Sequence, residues 1–408
     1  MAVATSHNTV PRAVPERPAT RLRDAAEALD AAAALAEEFA RDALSRDQER
    51  RLPWAEIERF SASGLWAITV PRSFGGAGVG FGTVAEVIAR ISAADPSLGQ
   101  LPQNHLGVVN NLLLTGSPDQ QLHYLGLVLQ GYRFGNAFSE ARSKTVTQFE
   151  TRIRFTGDTA WIDGEKAYCT GALFAHVVPT VALDEEGLAH LALVPRDAGG
   201  LTVIDDWDGF GQRTTASGRV QLKGVSVRRS AVLPAWKAFE RPTADGPVSQ
   251  IIQAAVDVGI ARGAFAAALA ATRLARPWTD SGLAHGWQDP LSQALIGDLS
   301  WRLAAAEALL EDAGVAVDRA LAEPSAASVA EASVVVGQAK VASTEIALAA
   351  ANRLCELGGT RSVSARFGHD RHWRNARTHT LHDPVRWKYH LIGNYLLNGV
   401  EPPRHAWN

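Results

Sequence analysis

The densest concentration of chemically versatile side chains lies near the carboxyl end: His369–Asp370–Arg371–His372–Trp373–Arg374, then Arg377–Thr378–His379–Thr380–Leu381–His382–Asp383–Pro384. Imidazole titrates near neutrality, so His382 is a candidate to donate or accept a proton at a reactive centre. Its spacing from His379 would put both rings on one helical face, with Pro384 marking a boundary just beyond. The same residues also read as a polar helix end in which Asp383 fixes a cap, and residue types alone leave the two readings evenly matched. Four histidines supply enough imidazoles for a metal. The interspersed arginines oppose concentrating that positive charge, and no histidine–carboxylate metal spacing occurs.

Three earlier segments offer complementary groups. Asn104–His105 is a polar pair within a helical stretch, and Asn136–Ala137–Phe138–Ser139 sets amide and hydroxyl beside apolar surface. Lys166–Ala167–Tyr168–Cys169–Thr170–Gly171 combines a cation, an aromatic face, a compact hydroxyl and a flexible backbone. A flavin needs this mixture, with apolar walls around its ring and hydrogen bonds at its polar edge. Each segment taken alone reads more readily as a satisfied core polar residue or a turn than as a cofactor contact. Arg276, beside Pro277–Trp278, and Arg361, after Gly358–Gly359–Thr360, can each make paired bonds to a phosphate, or simply serve as surface charge. Gly75–Gly76 with Gly78 and Gly80 forms neither a Walker loop nor a dinucleotide fingerprint, which removes the main support for ATP or NAD chemistry.

The elements that must position these groups fall in three blocks. After a 1–21 arm containing Pro11, Pro15 and Pro18, residues 22–131 read as helical. Leu22 to Leu44 carries a helical face, Pro53 suits a helix start, Gly64 suits a left-handed stop, and Thr83–Ser92 is amphipathic. Residues 132–242 change character: Tyr132–Phe138, Thr151–Phe155, Leu173–Leu183 and Gly218–Val232 favour strands, while Trp161–Lys166 reads as a turn around Asp163–Gly164. Residues 243–408 return to helix, with Ile251–Leu269, a capped start at Asp289–Pro290 and an Ala- and Val-rich run ending at Gly358–Gly359. The apolar segment Val329–Leu354 requires a bundle core or a subunit interface. The fold class is α+β.

At 408 residues, 46% hydrophobic and 20% charged, the composition is that of a globular protein, and a net charge of -3 gives no basic surface for nucleic acid. Cys169 and Cys355 make no disulfide framework, the first residues lack the apolar core of a secretion signal, and a cytoplasmic location is expected. No run of about 18 uninterrupted apolar residues, the length of a membrane span, occurs, so no membrane association is expected.

Several segments together resemble the acyl-CoA dehydrogenase superfamily over residues 22–402, and within it the branch containing dibenzothiophene monooxygenase and sulfur-acquisition oxidoreductases. They are Val70–Gly76, Ala94–Asn104, Gly135–Glu140, Asp163–Gly171, Asp205–Gly218 and above all Gly368–Asp383, extended by Val385–His390 and Asn398–Val400. The resemblance implies an N-terminal helical domain, a central β domain and a C-terminal four-helix bundle, assembled as a homotetramer with flavin sites completed between subunits. It implies reduced FMN, supplied by a separate flavin reductase, reacting with oxygen to give a C4a-(hydro)peroxyflavin that oxygenates a small organosulfur substrate; FAD is less expected. His105, Asn136, Thr170 and His382 become catalytic candidates by this resemblance, and Asn136, Tyr168, Thr170, Trp207, Arg276, Arg361 and His382 cofactor contacts. Thr170 stands where that branch has serine, and Tyr168 adds a hydroxyl to an aromatic wall. The alternatives are an FAD-dependent acyl-CoA dehydrogenase, for which the usual late glutamate is missing and Asp257 or another acidic residue would have to serve, and an N-oxygenase on the same fold.

Overall fold

Asp24 opens the first helix, α1 (Ala25–Glu49), by accepting from the Glu27 amide. The computed structural model describes residues 14–141, 148–405 and 408. Residues 1–13 of the expected arm lie outside these, and 14–24 form no regular element. α2 (Trp54–Ser63) follows Pro53 and stops at Gly64, whose φ of 84° lies in the left-handed region. A Cβ at Gly64 would also sit 2.1 Å from the Thr20 carbonyl oxygen, so only glycine fits this turn. α3 (Phe81–Ala94), α4 (Pro96–Gln100), α5 (Pro102–Thr115) and α6 (Pro118–Val128) complete the first block. Asp95 joins α3 to α4: its carboxylate accepts from the Ser97 and Leu98 amides and pairs with buried Arg46.

The middle block is one seven-stranded sheet in the order β5-β6-β2-β1-β3-β4-β7. Its strands are β1 (Arg152–Thr156), β2 (Thr159–Lys166), β3 (Val177–Leu183), β4 (Ala189–Pro195), β5 (Leu201–Ile204), β6 (Arg219–Arg228) and β7 (Val232–Leu233). The expected turn at Trp161–Lys166 is instead the interior of β2, paired antiparallel to β1 on one side and β6 on the other. Asp163–Gly164 marks a bulge where the register with β6 shifts, and Gly164 at φ 158° leaves no room for a side chain against Thr151. Tyr132–Phe138 contributes only the isolated bridges Phe134↔Val177 and Ala137↔Thr180.

The last block holds three long helices, α7 (Asp245–Leu274), α8 (Pro290–Ala322) and α9 (Ala326–Gly358), then α10 (Asp370–His379) and α11 (Arg386–Asn398), which packs on α9. α3 packs on α7 and α8, so the two helical blocks share one core with the inner face of the sheet. The apolar residues of Val329–Leu354 are largely buried within the chain, against α7 and α8. The exposed apolar surface lies elsewhere, on α8 with Leu291 and Trp301 and on α11 with Trp387, Leu396 and Leu397. α7 and α9 are long and apolar enough to cross a membrane, yet they pack on each other and share a buried ion pair, as core helices do. Both cysteines are free thiols.

Candidate functional site

One wall of the candidate site comes from the β domain. Tyr168 adopts a left-handed backbone, φ 57°, and Gly171 another at 75°, so the chain doubles back sharply around Thr170. The Asn136 carboxamide spans this turn: its Oδ1 accepts from the Phe138 amide at 3.0 Å and its Nδ2 donates to the Tyr168 carbonyl at 3.4 Å. The Thr170 hydroxyl lies 2.7 Å from Ser217 Oγ, which is 2.7 Å from Thr215 Oγ1, which donates to the Gln212 carbonyl at 2.9 Å. Trp207 Nε1 donates to that same carbonyl, and the exposed Tyr168 ring meets the Trp207 ring edge-on at 6.5 Å. Gln212 and Ala216 are also left-handed, which concentrates backbone strain in the loop that carries this chain.

That loop ties the wall to α10. The Gln212 amide donates to Asn375 Oδ1 at 2.7 Å, and a Cβ on Gly211 would fall 2.0 Å from the Arg374 carbonyl oxygen. Continuous hydrogen bonding therefore runs from Thr170 to the histidine-rich segment.

The histidine-rich segment departs from the expected helical pairing of His379 and His382. α10 ends at His379 and His382 lies in the turn before Pro384, so the two do not share a face of one helix. They meet α7 one turn apart. His379 is buried, its Nδ1 2.5 Å from Asp257 Oδ1. His382, with its side chain 36% exposed, lies with Nδ1 2.9 Å from Gln253 Nε2.

Behind them sits a balanced set of buried charges. Asp257 Oδ2 is 2.9 Å from Lys340 Nζ, and Asp383 Oδ2 is 3.8 Å from Lys388 Nζ. Burial opposes ionisation of both carboxyls, but Lys340 with His379 holds Asp257 below the usual carboxylate range. Against the same burial, the neighbouring His382, with Nδ1 3.8 Å from Oδ1, and the charges of Lys340 and Lys388 hold Asp383 low. Burial brings Lys388 down to about 8, with Asp383 opposing the shift.

Other candidates fall outside this arrangement. His105 is fully buried, its Nε2 2.8 Å from the Trp66 carbonyl and its Nδ1 accepting from the Phe134 amide at 3.0 Å, so neither nitrogen is free for a reactant. It anchors the extended segment that carries Asn136. Lys166 is buried in an ion pair with Glu140 at 2.7 Å and supplies no free cation. Arg276 is exposed, and Arg361 donates to the Leu274 carbonyl at 2.9 Å. The α7 residues from Gln253 to Leu274 span about 30 Å at 1.5 Å per residue, so both arginines lie far from His382 in the same chain. The other histidines scatter: His369 lies 3.1 Å from Ser362 Oγ, and His372 is buried. Among the described residues no His, Cys, Asp or Glu trio converges as a metal site.

Sequence reasoning missed Gln253 and the Lys340 partner of Asp257. Their signal was the placing of Gln250, Gln253 and Asp257 on one stripe of an otherwise apolar helix. A carboxamide, a hydroxyl and two aromatic rings around the Thr170 turn, and an imidazole on the segment that follows α10, are the kinds of group that suit the ring of a flavin. The Gln212 side chain, buried with neither amide atom paired, adds further hydrogen-bonding capacity in the same loop. A cleft of about 870 Å³ between α6 and the sheet is lined by Gln120, His123, Asp197 and Arg228 and includes none of these groups.

Comparison with known proteins agrees with this architecture. The family model for the acyl-CoA dehydrogenase N-terminal domain matches residues 23–132, and the C-terminal domain model matches 251–387. Dibenzothiophene monooxygenase of Rhodococcus erythropolis is 36% identical, with 95% of this chain and 98% of that protein covered. The FMN-bound crystal structure of TdsC from Paenibacillus sp. A11-2 superposes with a TM-score of 0.89 at 32% identity, covering 93% of this chain and all (100%) of that one. Methanesulfinate monooxygenase of Pseudomonas fluorescens gives 0.86 at 30% identity, over 93% of this chain and 99% of its own. With two family models on its helical blocks and relatives of this identity along nearly its whole length, the chain belongs to the acyl-CoA dehydrogenase superfamily, closely related to its dibenzothiophene monooxygenase branch.

Proposed function

We propose that this protein is a two-component monooxygenase that uses reduced FMN, delivered by a separate reductase, and molecular oxygen to oxygenate a small organosulfur compound. One oxygen atom joins the sulfur lone pair, and the other leaves as water, formed with the two electrons and two protons that reduced flavin supplies. Asn136, Thr170, Tyr168 and Trp207 hold the ring. His382 holds or delivers a proton at the oxygen that departs, and Asp383 orients the segment. Arg276 and Arg361 reach a phosphate only from a neighbouring copy, which accords with a homotetramer whose sites are shared.

The observation that carries this reading is the state of the carboxylates. Dehydrogenation needs an unpaired carboxylate to remove a proton as hydride leaves. Asp257, the acid nearest the histidines on α7, is wholly buried between Lys340 and His379, and Asp383 faces Lys388. The polar group exposed here instead is His382, which rests on buried Gln253. Anaerobic titration with reduced FMN, followed by turnover under isotopically labelled oxygen gas, tests the proposal. One labelled atom per product supports it. Bleaching of oxidised flavin by an acyl-CoA, with no label in any product, would establish dehydrogenation instead.

A further inference from the structure

α7 carries two glutamines where its neighbours are Ile251, Ile252, Ala254, Ala255 and Val256. Gln250 is 1% exposed and neither its Nε2 nor its Oε1 has a hydrogen-bond partner among the described residues. Gln253, three residues on and so on the same face, is 0% exposed; its Nε2 reaches His382 and its Oε1 is unpaired. His379 Nε2 and Asp383 Oδ1, on the segment packed against this face, are buried and unpaired as well. Unmet hydrogen-bonding capacity thus lies along the face of α7 that meets His382 through Gln253. A buried amide without a partner destabilises a fold, whereas an apolar side chain of similar shape would be neutral or favourable there. Packing alone gives no reason for Gln250.

We infer that Gln250 and Gln253 read the substrate, and that the substrate is a small neutral sulfide bearing an amide or hydroxyl group rather than an unsubstituted fused thiophene. The inference rests on the monooxygenase reading and narrows it. Gln250 offers both donors and an acceptor, while Gln253 has its carbonyl oxygen to spare, so the pair is completed by a ligand that both donates and accepts. A fused thiophene has no N–H or O–H and leaves the amides unmatched. An anion carries acceptors alone: it would satisfy the Gln250 amide nitrogen, leave Gln253 Oε1 unmet and approach the Asp383 carboxylate.

The test compares β-methylthiopropionamide, butyl methyl sulfide and dibenzothiophene on the full chain with reduced FMN and a reductase, for the native protein and for Gln250→Leu, with Gln250→Met as a second variant should leucine pack poorly. Thermal unfolding with and without each sulfide supplies a readout independent of turnover. The native protein is expected to favour the amide sulfide over butyl methyl sulfide in kcat/KM by about tenfold or more, the size of one well-made buried hydrogen bond. Gln250→Leu is expected to erase that preference through KM, to lose the thermal shift given by the amide sulfide, and to keep or raise the unfolding temperature of the free protein. Equal preference in native and variant proteins, or dibenzothiophene as the best of the three substrates, overturns the inference while leaving monooxygenation standing. No labelled oxygen in any product, with acyl-CoA reducing the flavin, removes both.

Discussion

His105 offers a clean separation between a residue that builds the site and one that works in it. Replacing it with leucine leaves the Phe134 amide and the Trp66 carbonyl buried without their partner, bonds now made at 3.0 and 2.8 Å. At about 1–3 kcal/mol for each unmet group, His105→Leu is expected to destabilise the fold by about 4 kcal/mol. Acid supplies an independent measurement. Burial lowers the His105 pKa from 6.5 to about 4, with the Trp66 bond opposing and the Arg133 charge assisting. The ring is neutral in the folded chain and protonates more readily when unfolded. Its contribution is therefore fully present above pH 6.5 and is lost as pH falls towards 4, by about 3 kcal/mol at 1.36 kcal/mol per unit. His176 and His372, each brought by burial to about 3, add to the acid sensitivity of the native protein and remain in the variant. The difference between native and variant denaturant midpoints from pH 7 to 4.5 isolates His105: the gap should narrow as pH falls. Folded variant protein should keep its turnover within a few fold. A variant that unfolds like the native protein but loses turnover would refute this account and return His105 to the reacting groups.

His382→Gln should fold normally, because the turn is held by Asp383 and the neighbouring Gln253 can bond a carboxamide in place of the ring. It should change the rate or pH dependence of the absorbance change seen when reduced flavin meets oxygen in a rapid-mixing experiment, and identical traces and yields would exclude His382 from proton handling. Arg276→Ala and Arg361→Ala should each weaken reduced-FMN affinity by about tenfold, as loss of a charge-assisted bond to phosphate does. Mass measurement in dilute solution should give a tetramer, whereas a monomer that binds FMN with native affinity would exclude shared sites.

Where local chemistry suffices, the structure was legible in the residues. Gly64 closing α2, Asp289 capping α8 through the Leu291 and Ser292 amides, and Gly359 closing α9 at φ 64° each follow from one residue's backbone or side-chain capability. Asp163–Gly164 shows the limit: the same pair suits a hairpin turn or a bulge, and the β1 and β6 neighbours on either side decide for the bulge. Histidine poses that ambiguity in the site. His105, His379 and His382 are alike as residue types, and their roles diverge only through what surrounds them: two backbone groups for His105, a lysine-paired aspartate for His379, a glutamine and open space for His382.

The stripe Gln250, Gln253 and Asp257 runs the other way, since its meaning could have been drawn from sequence. Polar residues on the core-facing stripe of an apolar helix are costly unless something meets them, so each one asks for its partner. Asp257 finds Lys340, Thr344 and His379 within the chain, and that closure is what removes it as a base. Gln253 finds His382 with half of its amide, and Gln250 finds nothing. Polar groups along this stripe pass from fully satisfied to wholly unsatisfied over two turns of α7. That gradient points away from the structural ion pair and towards the place where a ligand must complete the bonding.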